Sequence, residues 1–188
     1  HMRDGALPRH TDLGRYLARI TGLHQMSMAV AGALERHEPA DTAAAAPEFS
    51  ADRKTVTVRL QPGILFTDDP AFKGKPRELT ADDYVYSIKR YLDPNLRGGG
   101  DPLVTGLIVG MRPVVDAARK PGAKLDYDAR IEGLRALDRH TLQIKVNAPD
   151  YPVIHDILVG HRAVAREVVD AAGGDIQVRA VGTGPYRL

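Results

Sequence analysis

The sequence has no cysteine and no tryptophan among its 188 residues, and only 5% of its side chains are aromatic. Without cysteine there can be no disulfide, no thiol nucleophile, and no zinc or iron–sulfur site built on thiolates. A chain of this length can bury enough apolar surface to fold without such links, so the absence leaves the redox compartment open. The scarcity of aromatic rings also leaves few platforms on which single-stranded nucleic acid could stack.

Long apolar runs and an excess of one charge are also missing. No stretch of about eighteen apolar residues occurs, which excludes a membrane-spanning helix in this sequence. The 26 basic and 24 acidic side chains leave a net charge of +2, so the pI near 8.9 does not indicate a basic nucleic-acid-binding face. The length is that of one soluble domain, or of one domain and a small part of another.

Both ends of the sequence look cut. Residues 1–2 resemble a cloning remnant, and the last residues, VGTGPYRL, stop where a strand is predicted to begin. We therefore expect a piece of a longer protein, in which case the lack of a signal peptide says nothing about secretion. The expected division is a remnant at residues 1–2, a helical segment with a linker at residues 3–46, and a folded unit at residues 47–188.

Hydrophobic patterns predict an α+β domain. Apolar residues at helical spacing predict helices at residues 11–36, 80–92, from 102 with a break at Pro113, 149–160 and 163–172. Alternation predicts strands at residues 55–60, 131–137 and 141–146, the last two forming a hairpin. The clearest helix opens at Thr80 with Asp83 in a capping box. Polar and proline-rich segments predict loops at residues 38–50 and 67–79.

No residue pattern points to catalysis or to a metal. The three serines include none in a G-x-S-x-G turn, and the seven histidines include no H-E-x-x-H pair. Residues 98–100 are glycines but lack the Gly-Lys-Ser/Thr that follows in a phosphate-binding loop. We expect no enzyme, no cofactor and no metal site. Neighbouring carboxylates suit turns and helix caps better than acid–base chemistry: Asp68 with Asp69, Asp82 with Asp83, and Asp126 with Asp128.

Four motifs occur in one order: TVTVRLQPGILF at residues 55–66, LTADDYVYSIKR at 79–90, LDRHTLQI at 137–144 and VGTGPY at 181–186. Together they resemble the extracellular solute-binding proteins of family 5, the oligopeptide and dipeptide transporter type. The resemblance extends from about residue 47 to the end, and the segment before it departs from the family's usual opening.

The resemblance implies a part of lobe I of a two-lobe, type II periplasmic-binding-protein-like fold, with a small mixed or antiparallel sheet and flanking helices. It implies the substrate-binding component of an ABC importer, located in the periplasm or elsewhere outside the cytoplasm. In full length, a lipoprotein anchored to the membrane is one expected form. The implied partners are a small ligand, above all an oligopeptide or dipeptide, and a membrane permease, with no nucleic acid.

By the same resemblance, two loops are expected to approach the ligand. The first contributes Gly100, Asp101 and Leu103, and the second, between two predicted helices, contributes His161 and Arg162. The glycine-rich backbone could follow an extended ligand, and His161 or Arg162 could meet a carboxylate. A solvated helix cap is the simpler interpretation of Arg162.

Two further hypotheses stay open at this point. Related folds also serve as ligand-sensing domains of transcriptional regulators, which an upstream helix-turn-helix would indicate. In either parent, the chain alone is expected to bind no ligand, because one wall of a cleft leaves most of a ligand's surface in water.

Overall fold

The computed structural model describes residue 44 and residues 46–97, 99–150, 154, 157–158, 163–174 and 181–183. The predicted helix at residues 11–36 lies outside this part of the chain. None of the helices in the described ranges is long and apolar enough to cross a membrane. The elements follow in the order β1 (Glu48–Phe49), β2 (Thr55–Arg59), a 3₁₀ turn (Pro70–Phe72), α1 (Ala81–Tyr91), α2 (Pro102–Leu107), α3 (Met111–Ala118), β3 (Leu134–Asp138), β4 (Thr141–Lys145) and α4 (Arg166–Ala171).

The four strands form one antiparallel sheet in the order β1-β2-β4-β3. At its centre, Val56 of β2 lies opposite Ile144 of β4, and Val58 lies opposite Leu142. Alternate residues of a strand point to opposite faces, so these valines are buried while Arg59 is exposed. The predicted alternation in the first long strand is therefore confirmed.

Strands β3 and β4 form the predicted hairpin, but the strand expected at residues 131–137 begins only at Leu134. The reason is Gly133, whose N–H donates to the carbonyl of Val109 at 2.8 Å. A Cβ atom on Gly133 would lie 2.5 Å from the carbonyl oxygen of Lys145 and from the backbone nitrogen of Val109. Only glycine therefore fits where these three backbone segments meet.

Helix α1 begins as the sequence predicts. The Asp83 carboxylate accepts hydrogen bonds from the backbone N–H and the hydroxyl of Thr80, at 2.8 and 2.9 Å, within a capping box. The helix ends before Asp93 and Pro94, where the proline disfavours the helical conformation. Its buried face packs on β3 and β4. This main core contains fully buried side chains from the sheet, α1 and α3, among them Val56, Ile88, Met111, Val115 and Ile144.

The predicted helix break at Pro113 is wrong, because the break falls at residues 108–110. Ile108 leaves the helix to form a β-bridge with Val146, and Gly110 adopts a φ of 77°. Pro113 is the third residue of α3, where the N–H that proline lacks would have no partner within the helix. This proline accordingly marks the start of a helix and does not interrupt one.

Both predicted loops contain regular structure. In the loop at residues 38–50, the last residues include β1, which pairs Phe49 with Val56. In the loop at residues 67–79, a 3₁₀ turn begins after Asp69, whose carboxylate accepts the N–H of Ala71 at 2.8 Å. These elements are too short to leave a periodic pattern in the sequence.

A second apolar cluster joins this loop to the α4 region. Phe66, Phe72 and Leu79 pack with Ala165 and Val168. Helix α4 lies within the predicted helix 163–172 and is followed, as expected, by a glycine with positive φ, Gly173. Of the predicted helix at residues 149–160, the structure describes residues 149–150, which are not helical, and residues 154 and 157–158, which are helical.

Candidate functional site

Gly100, the first predicted ligand-facing residue, is a backbone junction. Its φ of 78° lies in the region that residues with a side chain rarely adopt. Its N–H donates to the carbonyl of Tyr91 at 3.2 Å, and its carbonyl accepts from the Arg119 guanidinium at 3.1 Å. Gly100 thus fixes the loop to the ends of α1 and α3.

Asp101 caps helix α2. One carboxylate oxygen accepts the N–H groups of Leu103 and Val104, at 2.8 and 3.3 Å. The other oxygen accepts the Tyr91 hydroxyl at 3.2 Å. The carboxylate is therefore engaged on both oxygens by the protein itself, which satisfies the free amides of the helix start and holds the tyrosine ring beside it.

Leu103 is exposed to 60% and lies in the first turn of α2. Tyr91, linked to the same turn through Asp101, is exposed to 36%. Two of the four large apolar side chains that are exposed in the described residues therefore lie at one place. We call Tyr91, Asp101 and Leu103 the 91–103 corner. It offers a ligand an apolar contact with a hydroxyl and a carboxylate close by.

The second pair of predicted site residues, His161 and Arg162, lies outside the described residues. The next described residues begin at 163. The N–H of Val164 donates to the hydroxyl oxygen of Ser87 at 2.9 Å. Ser87 in turn donates to the carbonyl of Asp83. The chain is thus anchored on α1 two residues after Arg162.

Glu78 is a carboxylate with a strongly perturbed titration. It accepts the N–H of Gly63 at 2.7 Å and also contacts Arg139 at 2.7 Å and His140 at 3.1 Å. The backbone N–H, then the guanidinium and the imidazole, lower its pKa to about 2. Because Glu78 stays ionised at neutral pH, it can hold the turn between β3 and β4 through Arg139 and His140, but it is not suited to proton transfer.

Lys89 is buried in the body of the fold, and Tyr127 is half-buried beside it. Burial lowers the pKa of Lys89, whose ammonium donates to the carbonyls of Tyr127 and Ala129 at 2.8 and 2.7 Å. Burial and the acceptor Asp93, at 2.6 Å from its hydroxyl, raise the pKa of Tyr127. Both groups are used to tie the 125–131 segment to α1.

One carboxylate of each neighbouring pair has the structural role that the sequence predicts. Asp69 and Asp83 cap their turns, as described above, and Asp126 accepts the N–H groups of Asp128 and Ala129 at 2.9 and 3.1 Å. Within the described ranges, no group of three or more His, Cys, Asp or Glu side chains could hold a metal ion.

An ion-pair cluster centred on Arg77 has no counterpart among the sequence predictions. Its guanidinium contacts Asp83 at 2.7 Å and Glu167 at 2.6 Å, and it lies over the Phe66 ring at 5.7 Å. Burial alone would lower the pKa of Arg77, but the two carboxylates raise it above its usual value. Residues 77 and 167 are too far apart in sequence for any local pattern to reveal this contact.

Comparison with known proteins gives a family match over most of the chain. The model described as bacterial extracellular solute-binding proteins, family 5 Middle, matches residues 38–188. A curated relative, Di/tripeptide-binding protein 2 of Pseudomonas aeruginosa, is 26% identical over 145 residues, which is 74% of this chain and 25% of that protein. The chain therefore spans about a quarter of the length of this relative.

Solved structures show the same fold. Listeria monocytogenes OppA bound to peptide superposes with a TM-score of 0.57 at 22% identity, covering 78% of this chain and 26% of OppA. MoaA of A. tumefaciens R10, in complex with mannopinic acid, superposes with a TM-score of 0.55 at 21% sequence identity. The match covers 80% of this chain and 24% of MoaA. The predicted fold class, part of a two-lobe type II periplasmic-binding-protein-like fold, is confirmed, and the sheet in the described residues is antiparallel.

Proposed function

We propose that this chain, which belongs to the bacterial extracellular solute-binding proteins of family 5, forms part of lobe I of the substrate-binding component of an ABC importer. The ligand that we propose is an oligopeptide or dipeptide. The observation that carries this ligand class is the similarity to a curated di/tripeptide-binding protein over about three quarters of the chain. Neither the family description nor the relatives named above point to a transcriptional regulator.

The proposed lobe I subdomain is residues 47–188, after a segment at residues 3–46 and a remnant at residues 1–2. The family match begins earlier, at residue 38. We place the complete protein outside the cytoplasm, in the periplasm or anchored to the membrane as a lipoprotein, where it would deliver ligand to a membrane permease. Binding and release of this kind need no catalytic group and no cofactor.

In this proposal the described part supplies one wall of the ligand cleft, with the 91–103 corner facing the ligand. Leu103 is exposed here and would lose contact with water when the second lobe closes over a bound peptide. Gly100 and Asp101 act as positioning residues, because their hydrogen bonds hold the start of α2 in place. His161 and Arg162 remain proposed ligand contacts.

The experiment measures peptide affinity of the complete protein by titration calorimetry, with Leu103→Ser as the test variant. Burying the leucine side chain on a ligand is worth about 1–2 kcal/mol, so we expect roughly tenfold weaker binding of a tripeptide. The matched control is Leu137→Ser, which truncates a leucine of similar exposure, 49%, on β3. We expect it to change the affinity less than about twofold.

Each outcome of this titration bears on a different part of the proposal. If the complete protein binds no peptide of any length, the proposed ligand class is wrong. If it binds peptides and Leu103→Ser has no more effect than Leu137→Ser, the 91–103 corner does not face the ligand.

A further inference from the structure

Residues 163–174, which we call the α4 segment, are attached to the body by ion pairs and hydrogen bonds and by one small apolar cluster. The main apolar core contains none of them among the described residues. The contacts are Glu167 with Arg77 at 2.6 Å, Arg166 with Asp128 at 2.5 Å, the Val164 N–H with Ser87 at 2.9 Å and the Gly174 carbonyl with Arg90 at 2.6 Å. The Arg166 guanidinium also lies over the Tyr86 ring at 5.7 Å.

The apolar contacts of this segment lie outside the main core. Only Ala165 and Val168 belong to the second apolar cluster, with Ala163 packed at its margin, while Val169 is also buried. Most buried residues of that cluster come from residues 64–79, which comprise the loop at 67–79 and the three residues before it, and not from the sheet. Because it buries three apolar side chains and lies outside the larger main core, the segment gains less from packing than the strands and helices of that core, and its ion pairs add to this smaller total.

The ion pairs that hold the segment are accessible to water. The side chain of Glu167 is exposed to 42% and that of Asp128 to 75%. Exposed pairs contribute about 0–1 kcal/mol each and are weakened by salt. Their joint contribution therefore depends on ionic strength, whereas the packing of the main core does not.

Residues that follow the segment share its point of attachment. The carbonyl of Gly182 accepts the N–H of Thr67 at 2.8 Å, and Val181 packs against the second apolar cluster. Residues 64–79 thus hold both the α4 segment and residues 181–183. If the α4 segment moved away, Val181 would lose part of the apolar cluster against which it packs.

We propose that the α4 segment is an electrostatic latch, which opens as a unit while the sheet and α1 stay folded. Opening would remove Ala165 and Val168 from the second apolar cluster, against which Val181 also packs. The latch is built from described residues alone, so its opening is independent of the ligand that the complete protein binds.

The test is native-state hydrogen exchange of this chain, followed residue by residue. The reporters of the latch are the amides of Ala172 and Gly174, which donate to Val168 and Val169. The reporters of the body are the amides of Lys145 and Val146, which donate to Gly133 and Lys54. We expect the latch amides to exchange at least about tenfold faster than the body amides after correction for intrinsic rates.

The double variant Glu167→Gln with Asp128→Asn removes the ion pairs and keeps the side-chain shapes. We expect a further 3- to 10-fold acceleration at Ala172 and Gly174, with a change below about twofold at Val146. Raising sodium chloride from about 0.05 to 0.5 M in the unchanged chain should act in the same direction. The matched control, Glu48→Gln, breaks the exposed pair with Arg59 on the sheet and should leave the latch amides unchanged.

Two results would overturn the proposal. Equal exchange of the latch and body amides would show that they open together in one cooperative transition. Faster exchange at the latch that neither salt nor the double variant alters would show that the ion pairs do not hold it.

Discussion

Replacing Gly133 with alanine is expected to lower the free energy of unfolding by about 3 kcal/mol, or to prevent folding. The added Cβ atom would lie 2.5 Å from the Lys145 carbonyl oxygen and 2.5 and 2.6 Å from the backbone nitrogen and oxygen of Val109. These are backbone atoms, so they cannot move aside as a side chain can. They also carry the hydrogen bonds that join the 107–109 segment, β4 and the start of β3.

The matched control is Gly106→Ala in helix α2. Its Cβ atom would meet only the end of the Arg112 side chain, which can rotate away. Alanine also favours a helix over glycine by up to about 1 kcal/mol, so we expect a neutral or stabilising change. Urea unfolding followed by circular dichroism measures both variants. Similar losses for the two would contradict the assignment of Gly133 as the backbone junction.

Replacing Asp83 with alanine is expected to cost about 3 kcal/mol of unfolding free energy. Its side chain is only 4% exposed. It accepts from the Thr80 N–H and hydroxyl at 2.8 and 2.9 Å, and from two nitrogens of Arg77 at 3.0 and 2.7 Å. The variant leaves the helix cap without its acceptor, and it leaves a half-buried guanidinium with Glu167 as its remaining ion-pair partner among the described residues.

Asp82→Ala is the matched control, because Asp82 is the preceding residue in the same first turn and is exposed. Both carboxylates interact with the helix dipole, but only Asp83 also holds the cap and Arg77. We expect Asp82→Ala to change the unfolding free energy by no more than about 0.5 kcal/mol. Comparable losses in thermal or urea unfolding would show that the dipole, and not the buried hydrogen bonds, makes Asp83 important.

Local sequence patterns predict those parts of the fold whose cause is local. The capping box at Thr80 and the alternation in β2 depend on residues within a few positions, and both are confirmed. The helix break is different, because Ile108 leaves its helix to pair with Val146 in another part of the chain. No neighbour of Ile108 signals that partner, whereas Pro113 offers a conspicuous local signal that proves misleading.

The candidate site divides in the same way. The family resemblance predicts Asp101 as a ligand-facing residue, although an aspartate before a proline at a helix start is also typical of the cap that Asp101 provides. The exposure of Leu103 and its proximity to Tyr91 depend on how α1 and α2 pack, which the sequence does not reveal. The Arg77 cluster escapes sequence reasoning for the same reason, since Glu167 lies 90 positions away.

The most direct test of the proposed function compares this chain with the protein from the complete reading frame. Both are titrated in a calorimeter with the same mixture of di- to pentapeptides. A working pocket buries about 70–90% of its ligand, so one wall alone should give no micromolar binding while the complete protein binds. Micromolar binding by this chain alone, or no peptide binding by the complete protein, would contradict the proposal that this chain forms one wall of a two-lobed peptide-binding cleft.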